Sequence, residues 1–180
     1  MLIQNEQLLP CGQAEAWAAL NDEALLQACI PGCESLTRTA PDKLEAVVAA
    51  ALGPVRARFT GKLSFSEIEA PSGYRLSFEG QAGPAGFSKG TAQVALQAQG
   101  PQQTLLRYEA QVQIGGKLAQ IGSRVIDAAA QKIIGEFFTR FEAELARRAA
   151  PAAAPQATAL PRPSWWRRLL GWLRGAPARA

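Results

Sequence analysis

The feature that most constrains this chain is a change of hydrophobic period. From residue 55 to residue 114 apolar and polar side chains repeatedly alternate, and from about residue 117 to residue 148 they follow a helical spacing instead. Tyr74, Leu76 and Phe78 alternate with Arg75, Ser77 and Glu79. Leu106, Tyr108, Ala110, Val112 and Ile114 alternate with Arg107, Glu109, Gln111 and Gln113, so each stretch has one dry face and one wet face. Residues 55 to 65 behave the same way: Val55, Ala57, Phe59, Leu63 and Phe65 face one side, and Arg56, Arg58, Thr60 and Lys62 the other. Gly61 marks an expected bulge or bend within that strand. Shorter candidates at 2 to 9, 35 to 39, 43 to 51 and 87 to 98 bring the count to seven strands. QAEAWAAL and DEALLQAC read as two short helices after the first strand, the second ended by Pro31-Gly32.

After Gly115-Gly116 comes the longest helical pattern, with Leu118, Ile121, Val125, Ala129, Ile133, Phe137, Phe141 and Leu145 along it. Steps of four residues creep by about 40° each, so this stripe winds as it would when crossing a twisted sheet. The fold class is therefore α+β: a seven-stranded curved antiparallel sheet wrapped around one long C-terminal helix. Such a curve can enclose a hollow. The small residues Gly122, Ala128, Ala129 and Ala130, expected in mid-helix, leave room for one. Inward aromatic positions would line it, making Phe59, Phe65, Tyr74, Phe78 and Tyr108 cavity candidates together with Gly122, Val125 and Ala129. Trp17, on the first short helix, reads as core packing or as an aromatic at the cavity mouth.

The end of the chain is of another kind. Residues 149–163, AAPAAAPQATALPRP, lack an apolar period and are repeatedly interrupted by proline, which reads as a semi-rigid linker reaching about 45 Å near polyproline II geometry. Residues 164–175 follow as an amphipathic helix. On a helical wheel Trp165, Trp166, Leu169, Leu170, Trp172 and Leu173 share one arc of roughly 160°, with Arg167, Arg168 and Arg174 opposite or at its edge. Ser164 supplies the N-cap, and Gly175 with Pro177 stands where the helix should stop. About ten residues broken by arginines cannot span a bilayer, but a basic, Trp-rich, one-sided helix suits a membrane interface.

Charge follows the same division. The chain has 19 Lys+Arg and 15 Asp+Glu, a net charge of +4. Five of those basic residues, Arg162, Arg167, Arg168, Arg174 and Arg179, lie beyond residue 150 with no acid, leaving the first 150 residues at 14 against 15, or −1. The basicity belongs to the tail, and a nucleic-acid binder is disfavoured. MLIQNEQLLP has neither a basic n-region nor a long apolar run, so neither signal peptide nor transmembrane anchor is expected, and the cytoplasmic side of the inner membrane is the expected location. Three cysteines without secretory context fit reduced thiols.

ACIPGCESL (28–36), LGPVRARFTGKLSF (52–65), GPAGFSKGTAQV (83–94) and GGKLAQIGSRVIDAAAQKI (115–133) resemble, in the expected order, the motifs of the CoxG family of carbon monoxide dehydrogenase subunits. That family lies in the START-like, polyketide-cyclase-type (SRPBCC) helix-grip superfamily. The resemblance covers about residues 1–148. It implies a helix-grip domain with an apolar cavity, and a nonenzymatic role beside a molybdenum hydroxylase of the carbon monoxide dehydrogenase type. Attachment of that enzyme to the cytoplasmic membrane, and a C-terminal membrane-binding segment, are implied with it.

Catalytic chemistry is thin in the residues themselves. Histidine is absent, which removes the usual acid/base group near neutral pH and the commonest metal ligand. Cys29 and Cys33, with only the distant Cys11 as a third thiol, fall short of a structural zinc set. GFSKGT around Lys89 lacks phosphate-loop spacing and reads as a turn entering a strand. Neither a metal nor a covalent cofactor is expected. A quinone or similar isoprenoid lipid is the candidate ligand, and the anionic membrane and the molybdenum hydroxylase are the candidate partners. Arg56, Arg58 and Lys62 form the candidate docking surface. Two alternatives remain: an assembly factor for the hydroxylase, and a small START-like cyclase or hydrolase.

Overall fold

The computed structural model describes residues 1–149 of the 180-residue chain. The tail from residue 150, including the expected amphipathic helix at 164–175, lies outside the described residues. Strand β1 (Leu2–Leu9) is followed by α1 (Gln13–Leu20) and α2 (Glu23–Cys29), then by β2 (Cys33–Ala40), β3 (Lys43–Leu52), β4 (Val55–Glu69), β5 (Gly73–Gln81), β6 (Phe87–Gly100) and β7 (Gln103–Gly115). A 3-10 turn at Gly116–Ile121 leads into α3 (Ser123–Ala149). The seven strands form one antiparallel sheet in the order β1-β7-β6-β5-β4-β3-β2, so only β1 leaves its neighbour in sequence to close against β7. The expected architecture, a curved open sheet with one long helix, is the observed one.

Local chemistry explains the joints. The Asp22 carboxylate caps α2 by accepting the Leu25 N–H at 3.0 Å. Ile30 leaves the helix in extended geometry just before Pro31, where proline sterics disfavour another helical turn. Gly32 takes φ +72°, and a Cβ there would stand 2.1 Å from the Ala49 carbonyl oxygen, so the approach of β2 to β3 requires glycine. Gly61 is not a bulge: Ala46 and Gly80 pair with it on either side in unbroken register. The irregularity of β4 falls instead between Ser66 and Glu69, where Glu67 has φ 49°.

The long helix differs from its sequence pattern at one end. Residues 117–121 are wound as 3-10, and Gly122, with φ +98°, breaks them from α3. Gly122 therefore precedes the helix instead of sitting in its middle, because its backbone conformation is one that a helix cannot contain. Beyond the break the first turns are barely covered. Ser123, Arg124, Val125, Asp127 and Ala128 are exposed and only Ile126 is buried, whereas Phe141 and Leu145 near the other end are fully buried.

The buried residues form two clusters. Leu9, Cys11, Ala16, Ala19, Leu20, Leu25, Cys29, Leu96, Leu106, Phe141 and Leu145 join the short helices, the sheet and the end of α3. Leu36, Leu44 and Ala46 form a second group on β2 and β3 with Val48, Leu63 and Phe65 against it. Leu26 packs against both. Leu20 and Leu106 of the first cluster and Leu36 and Leu44 of the second border a space between the sheet and α3.

Candidate ligand-binding cavity

That space is a cavity of about 340 Å³. Its sheet side carries Leu36, Leu44, Leu63, Phe65, Tyr74, Leu76, Ala92, Val94, Leu106 and Tyr108. Ile133, Ile134, Phe137 and Phe138 of α3 close it from above, and Leu20, Leu26, Ile30 and Pro31 close the end near the short helices. Every one of these side chains is apolar except the two tyrosines. Ligand sites begin at about 300 Å³, and a cavity of about 150 Å³ already takes benzene. The observed volume suits a one- or two-ring body with a short apolar extension.

Alternation along the strands builds the floor. In the middle of β6 the inward positions Gly90, Ala92 and Val94 are small, with Leu76 of β5 and Ala110 of β7 in register beside Ala92, before Leu96 enters the core. The room is therefore made by the sheet. The helix contributes large residues, and its small ones do not line the cavity: Ala128 is exposed, while Ala129 and Ala130 are half-buried outside the wall. Val125 is 37% exposed, and a Cβ built on Gly53 would meet its side chain at 2.5 Å, so it packs on the β3–β4 turn. Gly122 is likewise outside the lining.

Of the aromatic candidates, Phe65, Tyr74 and Tyr108 come together on the wall. Trp17 stands one layer behind, its ring edge-on to Tyr74 with centroids 5.9 Å apart, and Tyr74 is edge-on to Phe65 at 5.2 Å. Phe59 and Phe78 face inward but do not reach the cavity. Their rings lie over neighbouring glycines: a Cβ at Gly80 would come within 3.6 Å of Phe59, and one at Gly90 within 2.8 Å of Phe78. Sequence reasoning missed the α3 wall, Ile133, Ile134, Phe137 and Phe138, and the floor residue Ala92. The signal for Ala92 was present in the small inward set of β6.

Both phenols are hard to ionise. Burial pushes Tyr74 up to about 12. Burial also raises Tyr108, partly opposed by the nearby Asn5 amide. With no charged group in the lining, the cavity suits neutral ligands. Cys11 and Cys29 are buried free thiols, and burial pushes Cys11 up to about 11, so neither is an activated nucleophile. Among the described residues no group of His, Cys, Asp and Glu side chains is arranged to hold a metal ion. No helix among them is long and apolar enough to cross a membrane.

Arg56, Arg58 and Lys62 all lie exposed on the outer face of β4. Arg58 pairs with Glu34 at 2.7 Å, and Lys62 stands 4.0 Å from Glu45. Lys62 also borders a larger depression of about 830 Å³ on the outer sheet face, walled by Ser64, Ser77, Glu79, Lys89, Thr91, Gln111 and Gln113. Met1 and Leu2 border it beside these polar side chains. Lys89 stands there in β6 as an ordinary strand residue, following the turn at Gly83–Ala85.

Comparison with known proteins places these features. The family model for CoxG, a carbon monoxide dehydrogenase subunit, matches residues 10–146. A conserved protein from Geobacillus kaustophilus is similar with TM-score 0.77 and 28% identity, covering 82% of this chain and 96% of that one. A START superfamily protein from Mycobacterium smegmatis matches with TM-score 0.63 and 14% identity over 82% of this chain and 98% of that one. The Zhui aromatase/cyclase from Streptomyces sp. R1128 matches with TM-score 0.62 and 10% identity over 86% and 98%. At such identities the last two show the fold alone. The comparison with curated proteins returns no match.

Proposed function

Because this chain belongs to the CoxG family of carbon monoxide dehydrogenase subunits, we propose that it is a nonenzymatic accessory protein of a molybdenum hydroxylase of that type. In this reading the body binds a neutral apolar ligand between sheet and α3, and the tail attaches the hydroxylase to the cytoplasmic membrane. The observation that carries the ligand-binding part is the 340 Å³ cavity, lined by apolar side chains and two phenols and free of charge. Electrons from such an oxidation must reach an acceptor in the membrane, which makes a quinone the ligand of choice. The cavity takes the ring and the first part of a prenyl chain, and the remainder of a long chain must leave it. The acid-free, Trp-rich segment at 164–175 supports the membrane role.

Mass spectrometry of the lipid extract of the purified full-length protein tests the reading. A copurifying quinone is the expected result. An empty cavity together with retained binding to the hydroxylase would overturn the carrier role in favour of an assembly factor. Turnover of a small molecule would favour a cyclase or hydrolase, a reading disfavoured by the absence of histidine.

A further inference from the structure

An open sheet has two free edges, and this one treats them differently. The β2 edge is protected. Its pairing with β3 slips twice, between Cys33 and Ser35 and between Arg38 and Ala40, and such bulges spoil an edge as a template for another strand. Helix α2 also supplies it with partners: Glu23 accepts the backbone N–H of Arg38 at 3.1 Å, and Gln27 donates to the Glu34 carbonyl at 3.2 Å.

The β1 edge is open. Met1 and Val112 exchange backbone hydrogen bonds of 2.9 Å in both directions, and the register from there to Leu9 is unbroken. The odd residues of β1 therefore bond to β7, and the N–H and C=O groups of Leu2, Gln4, Glu6 and Leu8 point to the free side. The strand, LIQNEQLL, holds neither the proline nor the lysine that commonly blunts an edge. A recess of about 270 Å³ separates Asn5 and Gln7 from Gly135 and Thr139 of α3, and a Cβ on Gly135 would meet nothing within 4 Å, so the helix does not seal this side. The Glu6 N–H is held by a side chain, the Oδ1 of Asn5 at 2.8 Å, which the carbonyl of another strand can replace. On the outer face Leu2 is 57% exposed and Leu8 50%.

Apolar side chains on an unprotected edge call for a covering strand, and the sequence of β1 fits itself. A two-fold axis at Asn5 lays the strand antiparallel on a second copy, with Leu2 opposite the partner's Leu8 and Gln4 opposite the partner's Glu6. Apolar then meets apolar, and amide meets carboxylate. Slipping the pairing by one step sets Leu2 against the partner's Glu6 in one direction and Glu6 against the partner's Glu6 in the other, both unfavourable. The Glu6 carboxylate already pairs with Arg107 of its own chain at 2.8 Å, so the favoured register brings no bare charge to the junction.

We propose that β1 is the interface of a symmetric dimer, in which two copies of this chain join antiparallel about Asn5 into one continuous sheet. The surface is distinct from the cavity and does not depend on how the cavity or the tail is read.

Sedimentation equilibrium of the full-length protein and of its Leu2→Lys/Leu8→Lys variant tests it. Wild type should show a concentration-dependent species of twice the chain mass. The variant, which sets lysine against lysine in the favoured register, should be monomeric throughout and keep the wild-type circular dichroism spectrum, since both positions are exposed. Oxidation of single-cysteine variants checks the register. Partners that are not hydrogen-bonded stand about 4.5 Å apart at Cα, within reach of a disulfide. Asn5→Cys should therefore link two chains, and Ile3→Cys, which faces the partner's Gln7, should not. A wild type that is monomeric at every concentration would overturn the proposal. So would a dimer that the two lysines leave intact, as one held by the tail would be, or equal linking at positions 3 and 5. If the lysine variant loses its native spectrum, the two cysteine variants decide alone.

Discussion

At the scale of single residues, the cavity is set by what stands at a few inward strand positions. Ala92 points at it from β6 and is the position where added volume enters empty space. Ala92→Phe should therefore stay within about 1 kcal/mol of wild type in thermal unfolding, whereas a new ring in a filled core usually costs about 1–3 kcal/mol. The same variant should copurify with less ligand, read from its lipid extract. Strong destabilisation would mean that the space closes in solution. Phe141 offers the contrast. It is wholly buried and stacks on Phe137 at 5.4 Å, so Phe141→Ala should cost about 3–5 kcal/mol in urea unfolding.

At the scale of elements, α2 and α3 are joined by one carboxylate. Asp22 caps α2 through the Leu25 N–H and accepts from Arg148, near the end of α3, at 2.9 Å. The backbone bond from Leu25, and next the bond from Arg148, hold this carboxyl below its usual range. A depressed folded value means that the stabilisation is present above the ordinary carboxylate pKa and is lost as pH falls through the folded value. Asp22→Ala should cost about 0.5–2 kcal/mol near neutral pH. The difference from wild type should shrink below about pH 4, as Asp22 becomes protonated. A difference that stays constant down to acid unfolding would show that the charge of Asp22 contributes nothing.

At the scale of the whole molecule, the proposed function gives the near-neutral body and the basic tail separate tasks, and each can be tested alone. Deleting residues 164–180 should release the protein from anionic liposomes in a sedimentation assay, since each arginine near such a surface contributes about 1 kcal/mol and the Trp and Leu arc adds apolar burial. Equal sedimentation of truncated and full-length protein would remove the membrane role. Charge reversal of Arg56, Arg58 and Lys62 should weaken capture of the cognate hydroxylase and leave liposome binding intact. Because Arg58 already pairs with Glu34, part of that effect will be local repulsion, and a parallel melting curve separates the two.

The strands, the two short helices and the wet and dry faces are legible in the residues alone, because a period of two commits every side chain of a strand to one face before any partner is known. The family is legible there too, through segments spread along the body. The cavity is not. Alternation puts Phe59, Phe65, Tyr74, Phe78 and Tyr108 all inward, but which of them meets empty space depends on how far the sheet curves and where α3 crosses it. Phe59 and Phe78 are spent covering Gly80 and Gly90, while Phe65, Tyr74 and Tyr108 are left facing the gap between two separate cores. The helical stripe was equally ambiguous. Gly122 reads as one more small residue in the pattern, and only its backbone angle ends the 3-10 turn there and leaves Val125 near the surface. A void is a property of several elements at once, and no local pattern encodes it.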